Sequence, residues 1–172
     1  MTEPGFSTQI GEAFVGTGAE AAHLNTVLGA KGGPVEGAWA TALATPRAGH
    51  SAFVTVLRPG LAVKPLTLFV NKAPLAGGEH DRITWGPAQA GVASGVLWAV
   101  ADGVVPADRV DELLLIAAVW VDPEARVDDL VFANNRDATR ASIESGLERR
   151  PALDDLLAER DLPWNPFFRP RD

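Results

Sequence analysis

Apolar and polar positions in this chain alternate in some segments and recur at helical spacing in others. Residues 9–15 alternate loosely and predict a first strand, stopped by the Gly16-Thr17-Gly18 turn. Residues 21–28 predict a second strand, closed by Gly29 and Lys31-Gly32-Gly33-Pro34, so the two form a hairpin with a long connection. Pro34 stands where a helix start tolerates proline, and the Ala-rich stretch 35–44 behind it predicts a helix. β-favouring residues mark strands at 51–57, halted by Pro59-Gly60, and at 66–72. After the Gly77-Gly78 break, residues 87–102 predict an apolar helix between Gly86 and Gly103, followed by a short helix at 107–112. Residues 113–121 form a nearly continuous apolar run bounded by charge, which predicts a strand covered on both faces. The longest helix is expected at 127–148 and a small one at 153–160. The tail from Pro163 to Phe168 is too apolar for a free end and is expected to dock on its own subunit or a neighbour. Strands and helices mix without strict alternation, which predicts an α+β fold in a single domain, 1–172.

Composition narrows the function. The 172 residues are 47% hydrophobic and 22% charged, enough to bury a core. A net charge of −7 without any basic cluster argues against nucleic-acid binding, because phosphate neutralisation needs grouped Lys and Arg. Arg149-Arg150 and Arg169-Pro170-Arg171 are too short to form a patch. The absence of cysteine excludes thiolate ligands, disulfides and a cysteine nucleophile. The first eighteen residues lack the basic and apolar regions of a signal peptide, and no run reaches the ~20 apolar residues of a membrane span. A cytoplasmic protein with no membrane partner is expected.

Three side chains carry candidate chemistry. His23 follows a glycine turn, and an imidazole titrating near neutrality serves as a general acid. His23, His50 and His80 lack metal-ligand spacing, so no metal site is expected. The last two are placed in loops. Lys72 closes a strand; it reads as a solvated charge or as a cation toward a ligand, and a Schiff-base role requires a pocket that lowers its pKa. Gln89, in the first turn of the helix at 87–102, offers an amide donor and acceptor suited to the edge of a pterin ring, with helix-start N–H groups beside it. The glycine groups fit neither a dinucleotide fingerprint nor a P-loop, and the five tryptophans suit core, interface or stacking on a flat ligand.

These residues fall inside longer blocks. Ile10-Gly11-Glu12-Ala13-Phe14-Val15-Gly16, continuing to Ala22-His23, resembles the IGEALVGxGxExAHID opening of formaldehyde-activating enzymes. Val63-Lys64-Pro65-Leu66-Thr67-Leu68 with Asn71-Lys72 resembles that family's VKPxTLxxNK, and Gly86-Pro87-Ala88-Gln89 its FGPAQ. Asp137-Ala138-Thr139-Arg140 is similar to its EATK, and Asn165-Pro166-Phe167 to its HPF tail. The blocks keep register from about residue 10 to 146, with a C-terminal helix and tail at 151–172 matching more loosely.

The resemblance implies a fold related to the second domain of ribosomal protein S5, a ring-shaped homopentamer, and an active site between subunits. It implies metal-free condensation of formaldehyde with tetrahydromethanopterin, giving the methylene derivative and water. The reduced pterin is then a co-substrate and no cofactor is tightly bound. The family's catalytic histidine falls on His23, its pterin-contacting lysine on Lys72, its glutamine on Gln89, and an apolar contact on Val54. Asn25 stands where the family has an acidic residue, and Pro74 where it has threonine. Asn134 and Arg136 replace tyrosines on either side of Asn135. These departures leave open a different amine acceptor, tetrahydrofolate or a biosynthetic intermediate, or a protein that binds pterin or aldehyde without turnover.

Overall fold

The computed structural model describes residues 6–166 and 168–170. Phe167, which completes the tail match, lies outside them, as do Met1 to Gly5, Arg171 and Asp172. Among the described residues seven strands form: β1 (Gln9–Val15), β2 (Ala22–Ala30), β3 (Ala52–Val54), β4 (Val56–Arg58), β5 (Leu61–Ala62), β6 (Leu66–Asn71) and β7 (Leu113–Trp120). Five helices accompany them: α1 (Pro34–Ala44), α2 (Glu79–Ile83), α3 (Gln89–Ala101), α4 (Asp128–Leu147) and α5 (Leu153–Ala158). The main sheet runs β1-β2-β7-β6-β3, with β6 and β7 parallel and the other neighbours antiparallel. The α+β class is therefore the observed one.

Strand alternation sorts the sheet into two faces. Gly11 and Ala13 on β1, Leu24 and Leu28 on β2, and Leu113, Leu115, Ala117 and Val119 on β7 face the helical layer and are buried. That layer contributes Val92, Val96 and Ala99 from α3 and Val131, Ala138 and Ile143 from α4 to one core. A buried Thr26 Oγ1···Ser142 Oγ hydrogen bond of 2.8 Å pins β2 to α4. Glycine sets the approach: a Cβ on Gly11 would lie 1.7 Å from the Ser142 carbonyl oxygen, and one on Gly95 would lie 2.4 Å from that of Arg136. On the opposite face α1 covers only one end, where Val35 meets Gly29. The other end stays open.

Several elements differ from the expectation. The strand expected at 51–57 is broken at Thr55, whose backbone bonds both Thr67 and Val63, and β4 pairs instead with β5 in a separate two-stranded sheet. The helix expected at 87–102 begins earlier: α2 runs through a π-turn at Thr84–Ala88 into α3. Pro87, read as a helix start, sits inside that wider turn. The helix start expected beside Gln89 is consequently displaced, and the Gln89 N–H itself bonds the Gly86 carbonyl. The helix at 107–112 shrinks to a 3-10 turn, Ala107–Arg109. His80 is in α2 rather than a loop, buried, with Nδ1 accepting from Ala76 N–H and Nε2 donating to the Val121 carbonyl. Among the described residues, no helix is long and apolar enough to cross a membrane.

Candidate active site

Register builds the site. Across the open face, β1–β2 pairing sets Phe14 opposite His23, and β2–β7 pairing sets His23 opposite Trp120. Beyond Trp120 the Lys72 N–H donates to the Val119 carbonyl at 2.8 Å, which extends the row onto the end of β6. The next row is Glu12, Asn25, Ala118 and Val70. Phe14, His23, Trp120 and Lys72 thus stand side by side across β1, β2, β7 and the end of β6, with Glu12 and Asn25 immediately beneath.

The two rows are joined by polar contacts. His23 Nε2 lies 3.0 Å from Glu12 Oε1, with the imidazole side chain 41% exposed. The Phe14 ring lies 6.0 Å from the imidazole at a 50° tilt. Lys72 Nζ donates to Asn25 Oδ1 at 2.6 Å, and the small Ala118 between their strands leaves room for the lysine to lie across. Burial pulls the Lys72 pKa below its ordinary value, and the Glu12 carboxylate opposes that shift. A cavity of about 640 Å³ opens over His23, walled by Glu12, Phe14, Trp120, Trp164, Asn165 and Pro166. Trp164, Asn165 and Pro166 of the apolar tail therefore reach the site face of their own chain.

His23, Asn25 and Lys72 are brought together; Val54 and Gln89 are not brought to them within one chain. Val54 shares the open face, in the row Ile10, Val27, Ile116, Leu68 and Val54. Three inter-strand steps and two rows put it on the order of 20 Å from His23. Gln89 belongs to the helical layer on the other side of the sheet. It is 8% exposed, and its Oε1 accepts the Val56 N–H at 2.7 Å, holding the break between β3 and β4. Pro74 packs against Gly49, where a Cβ would lie 3.0 Å from the proline Cβ. Asn71 braces this corner: its amide donates to the Gly49 and Ala73 carbonyls and accepts from Ser51 N–H. Lys72 therefore leaves a fixed backbone.

The replaced tyrosine positions serve packing. Asn134 Nδ2 donates to the Glu20 carbonyl at 2.7 Å beside the glycine turn, and the Arg136 guanidinium lies 4.2 Å from the Trp98 ring centroid. Glu12, Phe14, Trp120 and Trp164 were not singled out from sequence. A glutamate and a phenylalanine on the same parity as Ile10 in β1 marked an unusual outward face, but their neighbour across β2 depends on register. No group of three or more potential metal ligands occurs among the described residues.

Comparison with known proteins adds to this geometry. The family model described as formaldehyde-activating enzyme matches residues 10–168. The chain is 39% identical over 160 residues to a 5,6,7,8-tetrahydromethanopterin hydro-lyase of Methanosarcina barkeri, covering 93% of this chain and 90% of that protein. It is similar to the bifunctional enzymes Fae/Hps of Archaeoglobus fulgidus, 37% identical over 159 residues, and Methanosarcina mazei, 40% identical over 151 residues. Those alignments cover 92% and 88% of this chain but only 40% and 38% of the bifunctional proteins.

Proposed function

The chain belongs to the formaldehyde-activating enzyme family, and on that premise we propose that it is a lyase condensing formaldehyde with a reduced pterin of the tetrahydromethanopterin type to give the methylene derivative and water. The observation that carries the reading is His23, bound through Nε2 to Glu12 and open to a cavity with three aromatic walls. The secondary amine adds to formaldehyde and gives a carbinolamine, whose hydroxyl leaves poorly without a proton. His23 supplies that proton, assistance worth roughly 10²–10⁴-fold. Glu12 fixes the imidazole plane and leaves Nδ1 for the substrate. Phe14, Trp120 and Trp164 suit the faces of a flat heterocycle. Closure by the second ring nitrogen is then favoured by proximity.

Lys72 and Asn25 orient the pterin beside His23. The contributions of Gln89 and Val54 come from a neighbouring subunit, in a homopentamer whose sites lie between chains; their separation from His23 within one chain supports this. Gln89 keeps its amide Nε2 for a ligand while Oε1 holds Val56. Exposed Ile10, Leu153 and Leu156 supply apolar surface for assembly. Family membership likewise supports the ribosomal-S5-related fold, a reaction in the cytoplasm, and a pterin that turns over instead of staying bound.

The amide at position 25 favours a second reading, in which the pocket takes another amine acceptor. The test is the rate of methylene formation from formaldehyde with tetrahydromethanopterin and with tetrahydrofolate, each against its spontaneous rate. Acceleration with tetrahydromethanopterin is expected. Acceleration with tetrahydrofolate alone would transfer the reading to that acceptor, and binding without acceleration of either would make the protein a binder.

A further inference from the structure

Lys72 has a neutral partner. Its Nζ is held at 2.6 Å by the Asn25 amide oxygen, so the lysine is oriented by an acceptor that carries no charge. The other two lysines of the chain meet a different setting: Lys64 pairs with the Asp111 carboxylate at 2.6 Å, Lys31 donates to the Asp111 carbonyl at 2.6 Å, and both are exposed. Lys72 is partly buried beside Trp120, on the face that carries His23. Asn25 is two residues from His23 on the same face of β2, roughly 7 Å along the strand. The Lys72 backbone is held by its N–H bond to the Val119 carbonyl, and its chain neighbours Asn71 and Ala73 are tied together by the Asn71 amide, so the amine is presented in one place.

We propose that Lys72 captures formaldehyde covalently as an imine and passes the one-carbon unit to the substrate amine. The inference rests on the reading of this face as the formaldehyde site and changes its first step: formaldehyde reaches the pterin amine through Lys72 instead of by direct addition, and His23 protonates the carbinolamine formed on Lys72. The neutral Nζ lone pair attacks the carbonyl carbon; the C–N bond forms and the carbonyl π electrons move to oxygen, which gains the proton lost by nitrogen. The resulting carbinolamine takes a proton from His23 on its hydroxyl, water departs, and the nitrogen lone pair forms the C=N bond of an iminium. The substrate amine then adds to that carbon. The Lys72 nitrogen takes up the proton released by that amine and leaves as a free amine, so the unit moves on without oxidation or reduction. Burial of the ammonium lowers the Lys72 pKa against the opposing Glu12 charge, the direction that favours the amine form used in the first step.

Three lysines in one chain make an internal comparison. The intact protein is incubated with formaldehyde and cyanoborohydride near neutral pH, without pterin, and lysine methylation is followed by peptide mass spectrometry. Lys72 is expected to be trapped several-fold faster than Lys31 and Lys64. Asn25→Asp, which places a carboxylate against the ammonium, is expected to slow trapping at Lys72 and leave the other two unchanged. Equal or slower trapping at Lys72, or trapping indifferent to Asn25→Asp, would overturn the proposal. Pterin condensation that persists with Lys72 untrapped would remove the relay and keep the proposed function. Trapping at Lys72 without condensation would keep the capture step and overturn the transfer to a pterin amine.

Discussion

His23 and Lys72 differ in what the surrounding side chains ask of them. The imidazole is held by a carboxylate and half open to a cavity, an arrangement suited to giving and regaining a proton. The lysine is held by an amide, which orients without charge. If His23 is the acid, His23→Ala removes the proton donor and little else, because the side chain lies on the open face and contributes nothing to the core. The expected result is unchanged folding and assembly with the catalysed increment reduced roughly 10²–10⁴-fold, read by stopped-flow condensation against the spontaneous rate. A variant as fast as the parent would take His23 out of the mechanism. His23 and Lys72 could be found in the sequence because their motifs are local. Glu12 and Trp120 could not, because each reaches His23 only through the pairing of β2 with β1 on one side and β7 on the other. A one-residue slip in either pairing would turn the row inside out.

At the scale of elements, the open face is positioned by how tightly the other face is closed. Helix α3 lies on α4 through Gly91 and Gly95, where added Cβ atoms would stand 2.5 Å from the Phe132 carbonyl oxygen and 2.4 Å from that of Arg136. Alanine in a helix interior ordinarily gains up to about 1 kcal/mol over glycine. Here the contact is with backbone, which cannot rotate away, so the overpacking cost of about 1–3 kcal/mol wins. Gly95→Ala should therefore lower the stability measured by denaturant unfolding, while an unchanged or higher midpoint would show that α3 and α4 can separate freely. Sequence periodicity found α4 and β7 within one or two residues, since both are long and patterned by burial. It failed where a distant partner decides. The break at Thr55 is held by Gln89 from α3, and the early start of the helix at Glu79 survives Pro87 because the π-turn widens the backbone there. Arg82 then ties α2 to the first turn of α4 by bridging Glu79 and Asp128, both held below the usual carboxylate range by its hydrogen bonds.

For the whole molecule, the consequence is that the first strand and residues 164–166 meet at the site. The segment after α4 contains no buried residue among those described, yet its Trp164, Asn165 and Pro166 wall the cavity begun by Glu12 and Phe14 of the first strand. Trp164 remains 63% exposed there, so most of its ring surface is still available to a ligand. A side chain that contributes no core but faces the substrate should act on binding more than on folding or on the proton-transfer step. Trp164→Ala is expected to leave the unfolding midpoint nearly unchanged and raise KM for the reduced pterin roughly 2- to 10-fold, as loss of an aromatic contact worth about 0.5–1.5 kcal/mol implies. With stacking equally present in ground and transition states, kcat should hold. Steady-state kinetics at saturating formaldehyde separates the cases: a fall in kcat with KM unchanged would show that the tail orders the catalytic groups instead of stacking on the ring, and no change in either would detach the tail from the site.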